Sequence, residues 1–199
     1  MRSTILGSKM IQVGDSDSWF TIAPEHLWVT DKLILAKRLG YVCGPAGVLV
    51  PAPNDYIVRP CVNYRMMSLG AEIKHLTPDE DSIPAGYFWC EVFTGRHLSF
   101  DYNFGKQVLA VEGFRDSDRL DRFCKWTKVK DVFHLPPVIQ DIADANEWLN
   151  VEVVGDKIIE VHFRFNDDFA NHDSDSIVPI WKENFYHSAC GDRIGFLIS

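Results

Sequence analysis

The chain has 199 residues, enough to bury one sizeable core or two small lobes around a cleft, and its 46% hydrophobic and 24% charged composition is that of a globular protein. Twenty basic residues stand against 28 acidic ones for a net charge of −8, with no Lys/Arg-rich block, so a polyanion such as nucleic acid is repelled on average and is not the expected partner. No apolar run approaches the roughly 20 residues that span a bilayer, and residues 1–10 lack the apolar stretch of a secretory signal. Five scattered cysteines without a CxxC pair suit reduced thiols, and the expectation is a cytoplasmic protein that acts away from membranes.

Residues 1–28 give no clear element and are set apart as an N-terminal extension. The first helix is expected over 31–39, with Thr30 as cap, Leu33, Ile34 and Ala36 as its apolar stripe, and Gly40 as its stop. A strand follows at Tyr56-Ile57-Val58-Arg59, ending at Pro60, and a second at 70–75. The apolar run 87–93 reads as a strand buried on both faces, broken by Thr94-Gly95. Residues 97–104 alternate, Leu98 and Phe100 against Ser99 and Asp101, as a half-buried strand does. Asn103-Phe104-Gly105-Lys106 turns that strand into another at 107–114. A short helix is expected at 118–126 and a longer one after Pro136-Pro137, with Val138, Ile139, Ile142, Ala143 and Ala145 along one face.

The clearest unit is a hairpin, Asn150 to Val154, then Gly155-Asp156-Lys157, then Ile158 to Arg164. With Asp156 at its centre, Glu152 opposes Glu160 and Asn150 opposes His162, all on one face. Two directly opposed carboxylates repel unless a cation lies between them, and magnesium prefers hard oxygen ligands of this kind. Arg164 continues the face and is placed to meet a phosphate. The competing reading is a solvated sheet face with ordinary charges.

The order of the remaining motifs resembles the ATP-grasp superfamily, over about 140 residues. Val29-Thr30-Asp31-Lys32 is similar to the family's "DK" helix start, and Tyr56-Ile57-Val58-Arg59-Pro60 to its phosphate-binding lysine strand. Trp89-Cys90-Glu91-Val92-Phe93-Thr94-Gly95 resembles the hinge strand whose backbone meets adenine, and Ile159-Glu160-Val161-His162-Phe163-Arg164 the metal-binding strand. The resemblance implies an α+β, two-lobed fold with antiparallel sheets flanking a nucleotide cleft. It puts the first lobe at 29–88, the hinge and second lobe at 89–168 and a tail at 169–199. It implies ATP and Mg²⁺ as cofactors. Lys32 and Arg59 would hold phosphates, and Glu91, Val92 and Phe93 would line the adenine slot. His97 stands where relatives have a ribose-binding acid. Glu152, Glu160 and His162 would ligate the metal, and Arg164 and Arg59 would be the catalytic cations.

Arg59 stands for the family's lysine and His162 for its asparagine. The glycine-rich flap is replaced by residues 61–70, where Asn63, Tyr64 and Arg65 would contact phosphate with side chains. The implied activity is an ATP-dependent ligase joining a carboxylate to an amine through an acyl phosphate, with a homo-oligomer left open. Beside it stand a nucleotide-binding or structural protein that has lost catalysis, and an unrelated α+β binding protein.

Overall fold

The computed structural model describes residues 20–62, 70–80, 82–181 and 193–198. Asn63, Tyr64 and Arg65 of the flap reading lie outside them. The chain is α+β, with two antiparallel sheets. The smaller has four strands in the order β1-β4-β2-β3: β1 Cys43–Pro45, β2 Asn54–Pro60, β3 Glu72–Leu76 and β4 Tyr87–Glu91. The larger has seven, ordered β11-β10-β7-β6-β5-β8-β9. Its strands are β5 His97–Asn103, β6 Lys106–Phe114, β7 Lys125–Lys128, β8 Trp148–Val154, β9 Lys157–His162, β10 Ser176–Trp181 and β11 Arg193–Ile198. The chain passes from one sheet to the other between the end of β4 and the start of β5.

The first helix, α1 (Lys32–Arg38), is capped by Asp31 rather than Thr30: the Asp31 carboxylate accepts the Leu33 and Ile34 amides at 2.9 and 3.0 Å. Its buried side chains are Lys32, Leu35 and Ala36, while Ile34 is exposed, because α1 lies between the two sheets and is covered on two sides. Leu35 joins the core of the large sheet, and Ala36 joins Phe88 and Cys90 of the small one. The second helix, α2 (Pro137–Ala145), packs Ile139, Ile142 and Ala143 onto the large sheet. There they meet Leu98, Phe100, Leu149, Val151 and Val153, the apolar faces of β5 and β8.

Two expectations need correction. Residues 118–126 do not form a helix. Arg119 instead grips Asp121 two residues on, and Trp126 pairs with Gly113 as β7 joins β6. Residues 169–199, expected as a tail, contribute β10 and β11 to the large sheet.

The β5–β6 turn runs through Phe104 and Gly105, both at positive φ (43° and 73°), the conformation that matches strand twist in a two-residue hairpin. The β8–β9 hairpin keeps Glu152 opposite Glu160 and Asn150 opposite His162. Its tip is tighter than expected: Val154 pairs with Lys157 around Gly155-Asp156, and the spare residue becomes a bulge at Ile159. That bulge sets the faces. It lets Ile158 and Val161, three residues apart, both enter the apolar core while Glu160 and His162 point the other way.

Candidate functional site

The two faces of the large sheet divide the work. One is the apolar core under α2. The other presents His97, Ser99 and Asp101 from β5, Asn150 and Glu152 from β8, and Glu160 and His162 from β9, all of them buried except Glu152, which is partly exposed. Ser99 and Asp101, expected on a solvated face, are 4% and 3% exposed. Two cations, from α1 and the small sheet, reach the β9 end of this face. Lys32 and Arg59 are 2% and 8% exposed, and both turn toward β9.

Lys32 Nζ lies 3.6 Å from Glu160 Oε2, and His162 Nε2 lies 3.0 Å from Glu160 Oε1. The Arg59 Nη2 group donates to the carbonyl of Ile159 at 2.8 Å, the bulge residue. Glu152 Oε2 meets His97 Nε2 at 3.1 Å. Burial by itself would push both glutamates toward the neutral acid. At Glu160 the charges of Lys32, His162 and Arg59 overcome it and hold the carboxyl well below the usual range. At Glu152 the His97 hydrogen bond does the same, against the opposing charge of Glu160. Burial also lowers the pKa of Lys32, with Glu160 working against that shift. The face therefore carries two opposed carboxylates, Glu160 buried and Glu152 one-fifth exposed, both held ionised.

Asp101 completes the row. Its oxygens accept the Asn150 amide at 2.7 Å and the Asn166 backbone N–H at 2.8 Å, and burial nonetheless raises its pKa to about 6. Asn150 also donates to Ser99 Oγ at 2.7 Å. An acid whose value rises on folding binds extra protons in the native state. Its stability contribution is therefore fullest below about pH 4 and declines as pH rises toward about 6. Asp101→Asn is expected to flatten that decline, on the order of 3 kcal/mol at most. Urea midpoints of the two proteins at several pH values between 4 and 7 check it, and parallel curves would contradict it.

The other expected residues are distributed as follows. Glu91 ends β4, and its carboxylate accepts the Val42 amide at 2.9 Å, so it pins the chain leading into β1. Val92 and Phe93 are half-buried on the crossing segment, and Phe93 meets Tyr41 edge-on at 4.8 Å. His97 is 7% exposed, with its ring turned to Glu152. Arg164 lies past the end of β9 in a bend; burial raises the pKa of Asp101 and Asp167, and the Arg164 charge offsets part of that rise. Alternation along the strand does not extend to it.

Among the described residues, no three His, Cys, Asp or Glu side chains form a ready metal centre. The donor set does fit magnesium, which takes one or two carboxylates and completes its shell with water and phosphate oxygens. Glu152 and Glu160 are such a pair, held anionic and directly opposite. His162 is turned to Glu160 rather than set as a third ligand.

The sequence reading missed Arg115, which reaches His97 from the end of β6, and the bulge at Ile159. A cavity of about 930 Å³ opens beside β3, between Glu72 and Tyr87 on one wall and Arg119, Leu120 and Asp121 on the other. No helix among the described residues is long and apolar enough to cross a membrane.

No family model matches the chain, and no curated protein matches it. Among solved structures, it is similar to an Archaeoglobus fulgidus protein assigned to the ATP-grasp superfamily. The two are 16% identical, with a TM-score of 0.47, over 87% of this chain and 65% of that one. It is similar to D-alanine–D-alanine ligase from Bacillus anthracis at 16% identity and TM-score 0.37, over 69% and 57% of the two chains. For L-amino acid ligase from Bacillus licheniformis the identity is 10% and the TM-score 0.45, over 72% and 42%. The chain thus spans 42–65% of the length of these structures.

Proposed function

We propose that the chain binds ATP with Mg²⁺ between its two sheets and is an ATP-dependent ligase that joins a carboxylate to an amine through an acyl phosphate. The observation that carries this reading is the pair of directly opposed, ionised carboxylates, Glu160 buried and Glu152 one-fifth exposed, faced by Lys32 and Arg59 from the other lobe. Phosphoryl transfer needs this opposition, cations on the phosphates and carboxylates for the metal, in a site that excludes water.

In this reading Lys32 and Arg59 hold phosphate oxygens and Glu91, Val92 and Phe93 line the adenine slot. Glu152 and Glu160 hold the cation, and His162 orients Glu160. Arg164 meets the terminal phosphate. Bound there, magnesium would offset charge on the β- and γ-phosphates. The Lys32–Glu160 contact is the one that opens. Lys32 passes to a phosphate oxygen, and Glu160 is left for the cation. The cavity beside β3 offers room for the acceptor, and the cytoplasm would supply ATP and keep the thiols reduced.

A nucleotide-binding protein without catalysis is the second reading. The cations favour it: Lys32 and Arg59 are almost fully buried and already engaged with β9.

Thermal unfolding with ATP and Mg²⁺ tests the site. A ligand present at a hundred times its Kd adds about 2.7 kcal/mol to a state it alone binds. The melting temperature should rise with both together, and Glu152→Gln should lose the magnesium requirement. Glu152 is the better probe, because the His97 N–H can still donate to an amide oxygen there. Replacing Glu160 would strip Lys32 of its counter-charge. A melting curve unchanged at millimolar ATP and Mg²⁺ overturns the proposal. ADP release on adding carboxylate and amine acceptors then separates the ligase from the inactive binder.

A further inference from the structure

We infer that Arg115 is a positioning residue for this site: through one ring nitrogen of His97 it fixes the tautomer that aims Glu152. The metal-binding part of this inference rests on the proposed function, while the tautomer part stands on geometry.

Three contacts define the arrangement. Arg115 Nη2 lies 3.2 Å from His97 Nδ1 and donates to the Leu120 carbonyl at 3.0 Å, which accounts for both hydrogens of that nitrogen. On the opposite side of the ring, His97 Nε2 lies 3.1 Å from Glu152 Oε2. A guanidinium has five donors and no acceptor. His97 Nδ1 must therefore accept from Arg115, and the ring proton sits on Nε2, directed at the Glu152 carboxylate. The chain of donors runs one way, from Arg115 through His97 to Glu152.

The surroundings hold that chain in place. The Arg115 guanidinium carbon stacks 4.1 Å over Phe123. The His97 ring meets Phe123 and Trp126 edge-on, at 4.8 and 5.9 Å. Both aromatics reach it only because residue 113, directly opposite His97 in the β5–β6 register, is glycine. A Cβ there would lie 2.6 Å from Phe123 and 2.9 Å from Trp126. Glu152 is thus held by a ring that is itself packed against Phe123 and Trp126 and bonded to Arg115. Partners of this kind, one bond behind a metal-binding carboxylate, set its direction and typically matter tenfold to a hundredfold in metal affinity.

The test has two readouts. In ¹⁵N spectra of the wild-type chain, His97 should show a protonated Nε2 and a bare, hydrogen-bonded Nδ1. In Arg115→Met the Nδ1 signal should move to that of a ring nitrogen without a donor. In thermal unfolding at fixed ATP, the magnesium concentration giving half the full effect should rise about tenfold in Arg115→Met and in His97→Leu. His97→Gln should stay near wild type, since its amide can still donate to Glu152. This glutamine–leucine comparison carries the test if Arg115→Met does not fold. An Nδ1 signal that ignores Arg115→Met overturns the tautomer assignment. A magnesium midpoint that is the same in the glutamine and leucine variants overturns the positioning role. A wild-type chain indifferent to ATP and Mg²⁺ defeats the ligase reading together with that role. The spectra still decide the tautomer, so the two failures are distinguishable.

Discussion

Lys32→Met is expected to lower the unfolding free energy by about 3 kcal/mol, read as a shift of the urea midpoint with an unchanged slope. Lys32 and Glu160 are almost wholly out of water, their side chains 3% and 5% exposed, at 3.6 Å from each other. Two ions taken out of water gain little from each other once desolvation is counted, but removing one leaves the other stranded. Methionine fills much the same volume and carries no charge, so the effect isolates the ammonium. The figure sits at the low end for halving a buried pair, because His162 and the charge of Arg59 still face Glu160. Adding Glu160→Gln to Lys32→Met should restore much of the loss. Equal and independent losses in the two single variants, summing in the double, would show that the contact does not matter to folding.

This expectation could not be drawn from the sequence, and the reason is instructive. Alternation along β8 and β9, together with their pairing across the hairpin, placed Glu152, Glu160 and His162 on one face. Alternation reports which face a residue takes, not what covers that face. Ser99 and Asp101 read as solvated for that reason, yet both are buried, bonded to Asn150 and, at Asp101, to the Asn166 backbone. The β8–β9 pairing was legible because β-branched arms flank a glycine-led turn. The bulge at Ile159 was not, since it depends on Ile158 and Val161 both finding the core under α2.

Strand β10 was hidden because the stretch from Asn166 on is polar, then aromatic, with no clear period, and Pro179 falls within the strand. Strand β10 meets β7 at Ser176 and Ile177, so among the described strands Pro179 has a partner only on the β11 side and its missing N–H costs no ladder bond to β7. Arg115 carried no signal at all. It follows β6 in a polar stretch, and only closure of the β5–β6 hairpin brings it to His97.

Gly95→Ala is expected to cost at least about 3 kcal/mol, from two separate sources. Gly95 lies on the crossing segment at φ 128°, a conformation that side chains rarely adopt. A Cβ there would sit 2.7 Å from the Gly155 Cα and 3.0 Å from its nitrogen, backbone atoms that have no flexible end to yield. The approach is mutual: a Cβ on Gly155 would meet the Thr94 carbonyl oxygen at 2.7 Å. Between them the Gly155 amide donates to the Arg96 carbonyl at 2.9 Å. The chain thus crosses between the sheets flush against the tip of the hairpin that carries Glu152 and Glu160, and glycine on both sides is what permits it. Gly40→Ala is the control. Gly40 also has positive φ, 78°, yet nothing lies within 4 Å of the added methyl. That variant should therefore lose only the left-handed backbone term of about 1–2 kcal/mol. The difference between the two contains the contact between crossing and hairpin together with the larger backbone cost at φ 128°. Urea midpoints of both variants measure it, and equal losses at Gly95 and Gly40 would mean that the crossing is free to move off the hairpin tip.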